Sequence, residues 1–217
     1  FSLNYLKTWR DHSLLVSAYY RPTTDVIQRI SYKNSEDGLF YSTSMNVAKS
    51  QSSGLELTLK NKFFRILDLT TSANAYYYKL DGFAYPIDGQ IVRGAADDRF
   101  TWNARMTASL ILPYDISVQA TGRYEARQVI TQGYRKPSYS VDFGARKNFF
   151  NKLITVAVNC RDLLNSRQWE TFTSGDNFTR HQINKRGGRR FNFTVTWNFG
   201  NMKQKHRQQT KRNDGSS

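Results

Sequence analysis

The chain has 217 residues, of which 39% are hydrophobic and 14% aromatic, and its formal net charge is +15. No uninterrupted run of about 18 apolar residues occurs, which excludes a transmembrane helix, and the single cysteine, Cys160, excludes an internal disulfide and a cysteine metal cluster. The basic residues are dispersed through turns, loops and the tail, without a basic helix or a known RNA or DNA motif, so we expect no nucleic-acid partner.

Apolar and polar residues alternate with a period of two along most of the chain, which predicts strands with two different faces. In residues 54–60 (GLELTLK), for example, each leucine is followed by a polar residue. The strands predicted in this way are residues 1–9, 13–30, 39–61, 66–79, 99–112, 115–129, 137–148, 152–162 and 188–199.

The last of these strands has the sharpest contrast between its faces. In residues 190–200 (RFNFTVTWNFG), large apolar side chains alternate with asparagine and threonine. Such a strand suits a soluble antiparallel sheet, whose apolar face covers a core. It equally suits a transmembrane barrel, whose apolar face contacts lipid and whose polar face lines a lumen.

Three further features favour the barrel. Short connections near residues 10–12, 61–66, 113–114 and 149–151 alternate with long ones near 32–38, 80–98, 130–136 and 163–187, as in outer-membrane barrels. Several predicted strands are longer than the 5–6 residues usual in soluble proteins. Aromatic residues also cluster at the ends of the predicted strands. This placement is typical of membrane proteins, because aromatic side chains are enriched at the boundary between membrane and water.

We therefore predict an all-β fold, an antiparallel transmembrane β-barrel in the outer membrane. Nine strands is an odd number, whereas single-chain bacterial barrels have even numbers. The prediction is that residues 1–200 supply about nine C-terminal strands of a larger barrel. Residues 201–217 are predicted to form a basic, disordered tail, because apolar residues are almost absent from them.

Two sets of residues resemble a known family. Residues 46–56 (NVAKSQSSGLE) resemble a strand motif of TonB-dependent receptors, in which Asn46, Gly54 and Glu56 match and Ala48 replaces a usual glycine. The ordered segments YYRPTTDVIQRI, TQGYRKPSYSVDFGARKNFF, CRDLLNSRQWETFTSGDNF and RRFNFTVTWNFGNMK resemble the C-terminal barrel of Bacteroidetes-type outer-membrane β-barrel family proteins, which are related to those receptors. The resemblance covers nearly all of residues 1–203.

This resemblance implies a barrel of about 22 strands with an N-terminal plug that engages TonB, although this chain contains neither plug nor TonB box. The implied function is TonB-dependent uptake of a nutrient or chelate. The resemblance also implies that the barrel-assembly machinery recognises the last strand, where Trp197 and Phe199 are the candidate signal residues. An outer-membrane barrel with a structural or adhesive role, and a soluble basic all-β binding module, are the alternatives.

The sequence offers candidate binding residues but no catalytic motif, metal site or cofactor site, and we expect no enzyme activity. Asp97 and Asp98 in the 80–98 loop form an acidic pair, more typical of a solvated turn than of a calcium site. The charged residues predicted to line the lumen are Glu56, Arg105, Arg123, Glu125, Arg127, Asp142 and Arg146. The basic residues predicted at the outer rim, where they are candidates for contact with lipopolysaccharide phosphates, are Arg180, Lys185, Arg186, Arg189 and Arg190.

Overall fold

The computed structural model describes residues 1–34, 36–185 and 187–199, apart from the side chains of residues 47 and 48. The tail predicted to be disordered, and Arg186 of the predicted rim, lie outside the described residues. No helix within the described part of the chain is long and apolar enough to cross a membrane. The strands are β1 (Ser2–Trp9), β2 (His12–Lys33), β3 (Phe40–Phe63), β4 (Leu67–Leu80), β5 (Phe83–Ile87), β6 (Gln90–Gly94), β7 (Asp97–Leu112), β8 (Ile116–Glu125), β9 (Gln128–Ile130), β10 (Gly133–Arg135), β11 (Ser138–Phe149), β12 (Ile154–Arg161), β13 (Gln168–Gly175), β14 (Phe178–Lys185) and β15 (Arg190–Trp197).

The largest sheet, called the main sheet below, contains nine strands in the order β1-β2-β3-β4-β7-β8-β11-β12-β15. Its neighbouring strands are antiparallel throughout. These strands overlap the segments that the alternation predicts, with ends that differ by a few residues. Two strands, β2 and β3, have 22 and 24 residues, far more than a typical soluble strand.

The prediction of about nine strands is wrong, because the described residues contain fifteen strands. The additional strands lie in the predicted long loops, where β9, β10, β13 and β14 form a four-stranded sheet and β5 and β6 form a hairpin. The hairpin turns at Asp88 and Gly89, which both have positive φ angles, and Asp-Gly is a strong hairpin signal that the loop assignment overlooked. The main sheet is also not closed, since β1 pairs only with β2 and β15 only with β12 among the described strands.

The strand register places the apolar residues of neighbouring strands side by side. Leu57 lies opposite Val16 and Ala73, and Ala120 lies opposite Ala108 and Phe143. A shift of one residue in any pair would move a whole strand's apolar set to the other face. The register therefore yields one continuous apolar face and one continuous polar face across the main sheet.

The burial of these two faces is the reverse of that in a soluble sheet. Phe100 on the apolar face is 65% exposed, whereas the neighbouring Thr101 on the polar face is 3% exposed. Similarly, Phe143 is 39% exposed, while Ser140 and Thr121 on the polar face are buried. A soluble sheet covers its apolar face, whereas a barrel in a membrane exposes it to lipid.

The height of the apolar face matches the hydrocarbon region of a membrane. On β7 it extends from Trp102 to Leu112, and both side chains are exposed. At about 3.3 Å per residue and a strand tilt of about 40°, this span is about 25 Å high, the typical height of the apolar band of a barrel. Aromatic rings mark its upper edge, where Trp102 stacks on Tyr124 at 4.6 Å between ring centroids.

The short and the long connections lie at opposite ends of the main sheet, as predicted. The turns that join β1 to β2, β3 to β4, β7 to β8 and β11 to β12 contain two to four residues and share one end. The connections after β2, β4, β8 and β12 share the other end, and the last three contain the additional strands. We call these the short-turn end and the long-loop end.

On the polar face of the main sheet, side chains of strands that are not neighbours also meet. The hydroxyl group of Tyr19 on β2 reaches across β3 and donates a hydrogen bond of 3.2 Å to Oδ1 of Asn74 on β4. Gly54 lies between the two strands, opposite Tyr19 and Tyr76. A Cβ atom at Gly54 would lie 2.5 Å from Cβ of Tyr76, so only glycine leaves room for these rings.

Candidate functional site

The connections after β2, β4, β8 and β12 fold across the polar face at the long-loop end. We call the region that they surround the mouth. Loop residues are anchored on the polar side, because Thr101 donates a hydrogen bond of 2.8 Å to the carbonyl of Arg127 and Arg167 donates one of 3.1 Å to the Ser140 hydroxyl. The four-stranded sheet also contacts the tip of β2, where Asn177 donates a hydrogen bond of 3.2 Å to the carbonyl of Lys33. Since β2 and β12 are six positions apart in the main sheet, these contacts connect distant parts of the mouth.

Gln132, in the turn between β9 and β10, connects that turn to β2 and β6. Its side-chain carbonyl accepts a hydrogen bond of 2.8 Å from the amide of Ser31, and its amide group donates one of 3.0 Å to the Ser31 carbonyl. The same amide group donates a hydrogen bond of 3.3 Å to the carbonyl of Arg93. Gln132 is only 4% exposed, and it satisfies backbone groups of β2 and β6 that have no neighbouring strand on that side.

Asp142 is the centre of an ion-pair network on the polar face. Arg123 donates a hydrogen bond of 2.7 Å to its carboxylate, and Arg167 donates one of 3.1 Å to each oxygen. The backbone amide of Asp162 donates another, of 2.9 Å. Asp162 is itself 2% exposed, and its carboxylate accepts hydrogen bonds from the amides of Ser166 and Arg167. This network fastens the loop after β12 to the main sheet.

The other residues predicted to line the lumen are dispersed along the polar side. Glu56 forms an exposed ion pair with Arg21 at 3.6 Å, a type of contact that contributes little to stability. Arg105 lies directly opposite Arg123. Arg127 lies beyond the end of β8, contrary to the predicted strand, and its guanidinium group stacks on the ring of Tyr134 at 3.4 Å.

Glu125 and Arg146 complete this predicted set, and both occupy polar-face positions of the main sheet. Neither forms an ion pair with a described residue. Arg146 borders a hollow of about 400 Å³ with a mixed polar and apolar lining from β7, β8, β11 and β12.

Stacked rings stabilise one face of the four-stranded sheet. Phe172 stacks on Tyr134 at 5.0 Å and on His181 at 4.1 Å between ring centroids. Lys136 donates a hydrogen bond of 2.7 Å to Glu170, which also lies 2.6 Å from the His181 ring nitrogen. The hydrogen bond from Lys136 holds the pKa of Glu170 below its usual value, with a smaller lowering by His181. Glu170 therefore stays ionised, and keeps these contacts, to a lower pH than in an unfolded chain.

The residues predicted at the outer rim do not form one patch. Arg180 borders one groove between β2 and the four-stranded sheet, and Lys185 borders an adjoining one. Arg190 faces a separate pocket with Arg161 and Asp162. Arg189 is exposed beside it in the chain.

The groove that Arg180 borders, called the arginine groove below, has a volume of about 420 Å³. Its walls carry two further arginines, Arg29 from the tip of β2 and Arg135 from β10. The remaining wall residues are polar apart from one isoleucine: Gln28, Ser31, Ser42, Ile130, Thr131, Gln132, Thr171, Thr173, Gln182 and Asn184.

Sequence reasoning missed Arg29, Arg135, Arg167 and Gln132. Arg135 and Arg167 are located in predicted loops, and Gln132 lies 101 positions from its partner Ser31. No local pattern distinguishes these residues from solvated loop residues. The segment TQGYR is part of the family resemblance, which implies no role for its glutamine.

Asp97 and Asp98 lie at the start of β7 rather than in a loop, and Asp98 accepts a hydrogen bond from the hydroxyl of Tyr77. The described residues contain no group of three or more acidic, histidine or cysteine side chains that would hold a metal ion. At the other end of the protein, the rings of Trp197 and Phe199 stack at 4.6 Å and are both exposed. Their role as an assembly signal stays a prediction.

Comparison with known proteins gives one finding. Neither a curated protein nor a solved structure matches the chain. The model of the outer membrane protein beta-barrel family matches residues 1–197, which include all strands of the main sheet. The chain therefore belongs to the outer membrane protein beta-barrel family and is a protein of the outer membrane.

Proposed function

We propose that this chain is the C-terminal part of a larger barrel, of about 22 strands, that acts as a TonB-dependent receptor for uptake of a nutrient or chelate. An N-terminal plug in the parent protein would engage TonB. The observation that carries the proposal is the polar face of the main sheet, with long loops folded across it at one end. A receptor needs such a polar passage with a ligand-binding entrance at one end.

The open edges of the main sheet support the larger barrel. The outer edges of β1 and β15 have no partner strand among the described residues. In hydrocarbon, each unpaired backbone group costs several kcal/mol, so these edges must pair. Because nine is odd, β1 and β15 run in the same direction and would have to pair in parallel with each other. Additional strands between them permit antiparallel pairing throughout.

The test uses the whole gene and its host. We expect the sequence upstream of residue 1 to encode further strands, a plug and a TonB box. Purified parent protein should then form a complex with the soluble C-terminal domain of TonB, and a proline substitution in the TonB box should abolish that complex. A barrel without plug or TonB binding would favour the structural or adhesive alternative. The soluble-module alternative is wrong, given the family membership.

We also predict the orientation of the chain. Peptide tags inserted at residue 90, where β6 begins after the Asp88–Gly89 turn, or at residue 176, in the turn between β13 and β14, should bind antibody on intact cells. A tag at residue 114, in the β7–β8 turn, should bind only after the outer membrane is permeabilised. The reason is that long loops of such barrels face outward and short turns face the periplasm. Labelling of residue 114 alone on intact cells would show the opposite orientation.

A further inference from the structure

The arginine groove concentrates positive charge without internal compensation. None of the residues that line it is acidic. Arg29, Arg135 and Arg180 form no ion pair with any residue that the structure describes. A cleft that carries charge of one sign attracts and concentrates ions of the opposite sign.

The hydrogen bonds of the groove leave donors available. Arg29 donates a hydrogen bond of 2.7 Å to Ser42, and Arg135 donates one of 3.3 Å to Gln128. These contacts hold the two side chains without neutralising them. The Nε atom of Arg135 is buried and has no partner among the described residues. The Nε atoms of Arg99 and Arg127, which do not line the groove, are buried without a partner in the described part of the chain as well, so the donors available to a ligand are the terminal guanidinium nitrogens.

The position of the groove indicates where its ligand comes from. One wall is the tip of β2, and the other is the four-stranded sheet. The segment that carries this sheet is fastened to the polar face of the main sheet, where Arg167 contacts Ser140 and Asp142. The groove is therefore reached from the mouth and not from the apolar face, where lipid would lie.

We propose that the arginine groove binds a small soluble ligand that carries two or more oxyanion groups (carboxylate, phosphate or sulphate). The guanidinium groups bind the oxyanions, since arginine presents paired donors that match their geometry. The amide and hydroxyl groups of Gln182, Asn184 and Thr171 are suited to further polar atoms of the ligand. The inference deepens the proposed receptor function by naming the chemical class of its ligand.

The test is titration calorimetry of the full-length parent protein in detergent, with citrate, inorganic pyrophosphate and, as the neutral probe, glucose. We expect saturable binding of citrate or pyrophosphate and none of glucose. The variants Arg135→Gln and Arg180→Gln should each weaken binding about tenfold, because each loses a charge-assisted contact. Arg190→Gln is the matched control, because it removes the same charge at the same end but outside the groove.

Each other outcome would overturn the proposal. Failure of citrate and pyrophosphate to bind the wild-type protein would do so, as would an equal loss in Arg190→Gln, which would indicate non-specific attraction. Binding of vesicles that contain bisphosphorylated lipid A, without binding of the soluble probes, would assign the groove to a lipid headgroup instead. Arg135→Lys, which keeps the charge, should retain part of the affinity if Arg135→Gln acts through binding rather than misfolding. TonB takes no part in this titration, so its result is independent of the transport test.

Discussion

Ala120→Arg should destabilise the parent protein by about 2–4 kcal/mol, the cost of an arginine on the lipid face near the middle of a barrel. Ala120 is at the centre of the apolar set of β8, between Val118 and Gly122. Its neighbours across the sheet, Ala108 and Phe143, are also apolar. The measurement is the free energy of unfolding in urea after insertion into lipid vesicles.

The matched control is Gln119→Arg, one residue away on the polar face. Gln119 is exposed and donates only a long hydrogen bond of 3.3 Å to Ser109, so the change should cost less than about 1 kcal/mol. Thr121 is a poorer control, because it is 8% exposed and packs against Thr107. Equal losses at positions 119 and 120 would contradict the assignment of the apolar face to lipid.

Val156→Arg would test the lipid face less sharply than Ala120→Arg. The alternation in residues 152–162 predicts that Val156 faces the middle of the membrane. In the structure it lies opposite Lys147 on β11, whose ammonium group lies 4.9 Å from the centre of the Phe149 ring. A lysine with its stem on the apolar face and its head beside an aromatic ring is typical of a membrane boundary. Val156 is therefore near the short-turn end, where an added charge costs less.

The sequence was sufficient to predict the main sheet, because its signal is local and repeated. Each strand has its own alternation, as in residues 100–112, and antiparallel neighbours joined by tight turns leave little freedom in strand order. The turn at Tyr114 and Asp115, both with positive φ angles, fixes the pairing of Leu112 with Ile116. Every further pair of that hairpin follows from this one.

The mouth was not predictable in the same way, because its contacts join residues far apart in the chain. Gln132 binds Ser31 across 101 positions, and Asn177 binds Lys33 across 144. The predicted strand 137–148 puts Asp142 on the polar face, and in the structure Asp142 lies opposite Thr121 on that face. Nothing in the segment RDLLNSR indicates that Arg167 returns to Asp142. The same loops contain short strands. Two of them, β9 and β10, have only three residues each, which is too few for an alternation with a period of two to be recognised.

Asp142, which the sequence predicts only as a residue that lines the lumen, also supports the loops at the mouth. Its carboxylate connects Arg123 on the main sheet to Arg167 at the base of β13. The side chain of Arg167 is only 14% exposed and that of Asp142 25%, so water does not readily replace the lost contacts. Through Arg167, the contact also helps to hold the four-stranded sheet that forms one wall of the arginine groove.

Asp142→Ala should therefore destabilise the loop after β12 by about 1.5–3 kcal/mol, the usual contribution of a hydrogen bond to a charged group. The loop can open while the main sheet stays intact, so the measurement is hydrogen exchange of the backbone amides of Asp162 and Arg167. Both donate to carboxylates of this network, and their exchange should accelerate about tenfold or more.

Glu125→Ala is the matched control, because Glu125 has a polar-face position on the neighbouring strand and no ion pair with a described residue. It should leave the exchange of both amides unchanged. A double-mutant cycle with Arg167→Ala separates the pair from the rest of the network: once Arg167 is absent, Asp142→Ala should cost less than in the wild-type protein. If the two losses were simply additive, Asp142 and Arg167 would not be coupled, and the four-stranded sheet would be held by its other contacts, such as those of Gln132 and Asn177.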